Sequence, residues 1–131
     1  MSREYLKELE VLTDSLTKRT EILSSVLDSC DIGTWTWTPA HDTMKWDKAM
    51  LGIFEKEAKC VQDFIDCIHE DDKERVVAAV QESLSAKVPY DITYRINTAA
   101  GIKIIHARGR VVFEEKEPTR FIGVCVEKWS Q

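Results

Sequence analysis

No run of apolar residues in this 131-residue chain approaches the roughly 18 needed to cross a bilayer as a helix. The first residues, Met-Ser-Arg-Glu-Tyr-Leu-Lys-Glu, lack the apolar core of a secretory signal. Lys/Arg-rich tracts are missing too, and the formal net charge is −5. Nucleic-acid binding draws on cationic side chains that neutralise phosphates, so that class is disfavoured. An anionic membrane surface offers the chain little for the same reason. These absences lead us to expect a cytoplasmic protein with no nucleic-acid partner and no direct membrane insertion. Glycine (5) and proline (3) are scarce, and neither a Gly-rich phosphate loop nor a Ser-centred elbow is present. The four cysteines, Cys30, Cys60, Cys67 and Cys125, stand at wide, irregular spacings without a C-x-x-C pair. That pattern argues against structural zinc, a redox dithiol or c-type haem attachment. It reads as four reduced thiols behaving as small apolar residues.

What is present is one domain's worth of core. Apolar residues make up 44% and charged residues 31%, the balance of a folded protein rather than a disordered one. Four Trp supply large aromatic anchors.

Residues 3–28 contain neither Gly nor Pro and are rich in Leu, Glu and Lys, side chains that lose little freedom in a helix. Their apolar positions repeat about every 3.5 residues. Leu9, Leu16 and Leu23 share one heptad position, and Tyr5, Leu12 and Val26 share another, with Arg19 the one charged exception. Lys7, Glu8, Glu10, Asp14, Lys18 and Glu21 lie off this seam. So narrow a stripe suits a coiled coil. It predicts a dimerising helix over 1–28 ahead of a domain over 29–131.

The domain reads as α+β. Gly33-Thr-Trp-Thr-Trp-Thr38 alternates strictly, which predicts a half-buried strand with Trp35 and Trp37 facing the interior. Pro39–Asp42 is a turn, and Thr43–Trp46 completes a hairpin. Weak helical character follows around Met50, Leu51, Ile53 and Phe54, then a short helix with Val61, Phe64, Ile65 and Ile68 on one face. A longer helix starts near His69-Glu-Asp-Asp72, with Val77, Val80 and Leu84 inward. Its acidic first turn suits the helix dipole. Three strands close the chain: Tyr90–Ile96, Ile102–Phe113 and Phe121–Glu127, with turns at Asn97–Gly101 and Glu114–Pro118. Antiparallel strands that bury one face only require the helices to cover that face.

This order resembles the PAS fold, a five-stranded antiparallel sheet with short helices over one face. Trp35-Thr-Trp37, then Met44-Lys-Trp-Asp47 and Leu51-Gly52, look like the first half of bacterial sensory-box domains. Ile68-His-Glu-Asp-Asp72 is similar to the family's His-Pro-Asp-Asp helix start, with Glu70 in place of Pro. Tyr94-Arg-Ile96, Gly101, Ala107-Arg-Gly-Arg110 and Ile122-Gly123 look like the three-strand half. The resemblance covers about residues 24–128. The chain departs from it at Glu127-Lys-Trp129, where the family often has Asp-Ile-Thr. It ends at Gln131 without an output helix, as an excised module would.

The resemblance implies a homodimeric sensory module that senses a small-molecule or redox cue, or relays a signal through its dimer helices, covalently linked to an output domain in a regulator such as a histidine kinase or a cyclic-dinucleotide enzyme. The alternatives are a ligand-free interaction module and, from another class, a haem protein or small enzyme. A small-molecule cavity is expected between the helices and the sheet, walled by Trp35, Trp37, Phe54, Phe64, Ile68, Tyr94, His106 and Cys125. These side chains equally suit plain core packing. No cofactor is expected. Cys60, in Ala-Lys-Cys-Val-Gln, lacks the Asn-Cys-Arg-Phe-Leu-Gln pattern of flavin photosensors, and the helix after Asp72 has no His to ligate haem. His41 falls in a turn and His69 at the family's structural position. His106 is mid-strand, and its direction is open, because Ile105 and Ala107 form a competing inward pair. Cys67-Ile-His69 is no nucleophile pair, since positions two apart do not face each other on a helix. Asp71-Asp72 is read as helix capping rather than a metal site. No catalytic residue is assigned.

Overall fold

The computed structural model describes residues 3–29 and 31–128, with the backbone alone for 24–29. Cys30, Trp129 and the side chain of Val26 therefore lie outside the described residues. The chain divides into two units, Met1–Asp31 and Ile32–Gln131.

The first unit is the helix α1 (Arg3–Ser29). The seam residues Tyr5, Leu9, Leu12, Leu16 and Leu23 are all exposed, from 42% at Leu9 to 63% at Leu16. Leu6, Val11 and Ile22 are exposed as well, so the apolar surface is wider than the heptad alone. Thr13, Thr17 and Thr20 do not break the helix. Each hydroxyl donates to the carbonyl four residues earlier, at 2.8–3.0 Å.

In the second unit β1 (Gly33–Thr38) and β2 (Thr43–Trp46) form the expected hairpin around a short 3-10 turn, Pro39–His41. Three helices follow: α2 (Lys48–Phe54), α3 (Val61–Cys67) and, after a 3-10 turn at Glu70–Asp72, α4 (Lys73–Ala86). Then come β3 (Tyr90–Thr98), β4 (Gly101–Glu114) and β5 (Glu117–Lys128). The sheet order is β2-β1-β5-β4-β3, antiparallel throughout. Chain order places β5 in the centre, between the hairpin and the β3–β4 pair.

The period-two pattern decides which face is buried. Tyr90, Ile92, Tyr94 and Ile96 are all buried along β3, and Ile105 and Ala107 on β4 and Phe121 and Cys125 on β5 join them. Met50, Ile53, Phe54, Cys67, Ile68 and Val76 complete the cluster from the helices. Asp47 caps α2 by accepting the Met50 N–H at 2.9 Å.

The structure differs from the sequence reading at two turns and on one helix face; at the first turn β3 runs to Thr98 and β4 starts at Gly101, so only Ala99-Ala100 lie between them. The β4–β5 turn is only Glu115-Lys116, both at positive φ (50° and 71°). That is the mirror-image two-residue turn whose twist suits a hairpin. Strand β5 thus begins at Glu117, and Pro118 sits opposite Phe113 beside a register shift at Val112/Phe113, where a ladder tolerates proline. On α4 the buried residues are Val76 and Ser83, with Val80 and Leu84 packed beside them. Val77, expected inward, stands off the core. A serine at the centre of the buried face hid the true stripe from a hydrophobicity pattern.

Candidate functional site

Trp35 organises the inner face. It pairs with Gly123 on β5, which itself pairs with Gly109 on β4. A Cβ on Gly109 would lie 2.9 Å from Cζ2 and Cη2 of the Trp35 indole, and one on Gly123 would press into Cζ2 and the Arg108 carbonyl oxygen. The indole therefore extends across β5 to β4 over a floor of two glycines, where no other residue leaves room. Tyr90 meets it edge-on at 5.8 Å, and Phe121 packs against it tilted, at 5.1 Å. A second aromatic chain runs Trp46–Phe54–Phe64–Tyr94, with centroids 4.6, 6.3 and 6.0 Å apart.

Between these aromatics lies a cavity of about 30 Å3, room for a water-sized body. Of the expected wall residues, Trp35, Trp37, Phe64, Tyr94 and Cys125 line it. Phe54 and Ile68 do not; they are wholly buried in the core. Met44, Trp46, Met50, Val61, Val80, Tyr90, Ala107 and Phe121 line it as well and were not singled out from the sequence. The mid-strand glycines and the Trp35–Trp46 hairpin pairing were the signals available for finding them.

The walls carry no charge. Burial pushes the Cys125 thiol up to about 12, and the Tyr90 and Tyr94 hydroxyls up as well. Tyr94 Oη stands 3.9 Å from Cys125 Sγ. The Trp35 indole N–H lies near enough to the Cys125 sulfur to oppose the thiol's rise, yet Nε1 is buried without a hydrogen-bond partner. Trp37 differs: its Nε1–H donates to Asp42 Oδ1 at 2.8 Å. The same oxygen accepts the Val61 N–H at 2.9 Å, which ties the hairpin to the start of α3.

His106 is corrected. It lies on the outer face, opposite Thr93, because Ile105 and Ala107 take the inward positions. Its Nε2 contacts Asp91 Oδ1 at 2.6 Å, and Arg108 Nε approaches the other oxygen at 3.3 Å. His106 therefore neither walls the cavity nor offers it an axial ligand. Exposed pairs of this kind contribute little, so His106→Gln is expected to change stability by less than about 0.5 kcal/mol in a urea titration.

The His69–Asp72 segment is also corrected. Asp72 does not cap α4. Its carboxylate forks with Arg95, Oδ2 to Nε and Oδ1 to Nη2, both at 2.9 Å, and Oδ2 also accepts the Arg95 backbone N–H at 2.8 Å. These bonds hold the Asp72 carboxyl far below the usual carboxylate range. The His69 N–H donates to the Arg95 carbonyl at 2.8 Å, and its Nδ1 accepts the Asp71 N–H at 3.2 Å. Cys67 donates to the Asp63 carbonyl at 3.4 Å. Cys67 and His69, not expected to act as a nucleophile pair, each have a structural partner. Among the described residues Cys60, Cys67 and Cys125 are free thiols, and no group of three His, Cys, Asp or Glu side chains could hold a metal ion.

A sequence profile for the PAS fold matches residues 44–125, from the second hairpin strand to the cavity-facing Cys125. The chain belongs to the PAS fold family. This PAS domain is similar to the probable diguanylate cyclase DgcE of Escherichia coli K12, with 26% identity over 126 residues. That alignment covers 93% of this chain and 11% of the relative, so the chain spans about a tenth of that protein's length. In structure it is similar to a sensory box histidine kinase/response regulator from Burkholderia thailandensis, with TM-score 0.69 and 26% identity, covering 80% of this chain and 82% of that one. The N-terminal domain of a diguanylate cyclase with PAS/PAC sensor from Marinobacter aquaeolei shares the fold, with TM-score 0.67 and 19% identity, covering 73% and 94% of the two chains. The PAS domain is a sensory, signal-transduction module. No helix among its described residues is long and apolar enough to cross a membrane.

Proposed function

We propose that this PAS domain is the non-enzymatic input module of a multidomain regulator, a histidine kinase or a diguanylate cyclase, and that it works as a homodimer joined through α1. A cue at the inner face of the sheet shifts the balance between two packings, and the helix pair passes the change to a covalently linked output domain. The observation that carries this reading is the exposed stripe Tyr5, Leu9, Leu12, Leu16 and Leu23 on α1. An isolated helix with such a stripe is marginal in water, and a partner helix resolves it. A ligand-free interaction module is the competing reading, favoured by how fully aromatic rings occupy the cavity.

Charging the seam tests the dimer in the intact chain. Leu12→Glu/Leu16→Glu is expected to convert a dimer to a monomer at low micromolar concentration in sedimentation velocity, with the melting of the sheet unit unchanged. A variant that stays dimeric removes α1 as the main contact.

A further inference from the structure

Trp35 and Trp37 lie two residues apart on one strand and have opposite polar fates. The Trp37 N–H is met by a carboxylate oxygen, whereas the Trp35 N–H, buried in the cavity wall, has no oxygen or nitrogen acceptor and only the Cys125 sulfur near it. An indole nitrogen is a donor only, and a buried donor without a partner costs about 1–3 kcal/mol. The polar neighbours relieve it only weakly. The Tyr94 hydroxyl and the Cys125 thiol face each other at 3.9 Å, and thiol sulfur is a weak acceptor. The site thus aims no strong acceptor at the indole N–H.

Resting on the sensory reading, we propose that the cavity receives an uncharged molecule with an apolar body and one hydrogen-bond acceptor, such as a small ketone, whose oxygen takes the Trp35 N–H. No charged side chain lines the cavity, so a carboxylate or ammonium group entering it would lose its hydration without compensation. The body of the molecule has aromatic rings and two thioethers around it. Met44 and Met50 are both wall residues, and their unbranched side chains repack readily. The wall can therefore yield to a body larger than the present 30 Å3.

Three probes built on one five-membered ring separate the possibilities: cyclopentanone, methylenecyclopentane (C=CH2 in place of C=O) and cyclopentanecarboxylate. Each is titrated into the 15N-labelled intact chain while the indole N–H signals of its four Trp are followed. The Trp35 signal is assigned by elimination with Trp37→Phe, Trp46→Phe and Trp129→Phe. Cyclopentanone should move the Trp35 signal downfield and saturably while leaving Trp37, held by Asp42, in place. It should bind up to about tenfold more tightly than the hydrocarbon, the worth of one net hydrogen bond. Trp35→Phe should erase that preference; should that variant fail to fold, the wild-type comparison of ketone with hydrocarbon still decides. Equal affinity for ketone and hydrocarbon overturns the acceptor role, tighter binding of the carboxylate overturns the uncharged class, and a motionless Trp35 signal with all three overturns the site. Seam substitution reports on the dimer and the indole signal on the ligand, so the two proposals fail separately.

Discussion

Gly123→Ala is expected to destabilise the PAS domain by about 3 kcal/mol, the upper part of the range for overpacking a well-filled core. The added methyl meets two obstacles at once, the Trp35 ring and the Arg108 carbonyl oxygen on the neighbouring strand. Neither is the loose end of a flexible chain. For a unit of this size the loss corresponds to a melting temperature lower by about 15 °C. Trp35→Ala should cost a similar amount, about 3 kcal/mol, the lower end of the usual range because the ring is only half-buried. The double variant is the sharper test. Both changes remove the same contact between indole and glycine floor, so their sum should fall short of additivity by at least about 1 kcal/mol. Additive losses in urea unfolding would show that the glycines serve some other purpose than seating the indole.

Asp72→Ala is the second large loss, about 2–3 kcal/mol. The carboxylate is buried and joined by three hydrogen bonds to Arg95, although the outer part of Arg95 reaches solvent, which moderates the effect. The same group sets an acid limit. Its carboxyl titrates well below the usual range in the folded state because Arg95 bonds the ionised form. The folded state therefore binds its proton less readily than the unfolded chain does. Its contribution is complete above the unfolded carboxylate value of about 4 and is lost as pH falls below it. Asp91, held low by His106, acts in the same direction. Stability measured from pH 6 to pH 2 should fall in the wild type, and the fall should be distinctly shallower in Asp72→Ala. Parallel curves would show that Asp72 is not the main titrating group.

The fold was legible because alternation and turn chemistry agree along most of the chain. Trp35/Trp37 against three threonines, and Tyr90, Ile92, Tyr94 and Ile96 against polar neighbours, specify strands and their inward faces with no tertiary information. The candidate site was only half legible. Trp35, Trp37, Phe64, Tyr94 and Cys125 were found because large apolar residues on inward positions must meet over a one-sided sheet. His106 was left open by its strand: His106 and Ile105 compete for the core, and the greater transfer energy of the aliphatic pair settles the contest. The role of the two mid-strand glycines was hidden for another reason. A glycine's partner is set by the sheet register, and Gly109 and Gly123 reach Trp35 only once β5 enters between β1 and β4. Asp72 was misread because a carboxylate at a helix start has a local explanation, whereas Arg95 lies 23 residues away in sequence.

The segment from Ile68 to Asp72 has one more consequence. Strand β3 is an edge of the sheet, and an open edge is a template on which another chain can add a strand. Here the outward backbone groups of Arg95 are both taken, the N–H by Asp72 and the carbonyl by His69, and Ile68 bridges Ile96 beside them. A foreign strand would have to break the fork to Arg95 before it could pair along that half of β3. The bonds that fasten the helices to the sheet thus also guard the molecule against growing edge to edge into aggregates.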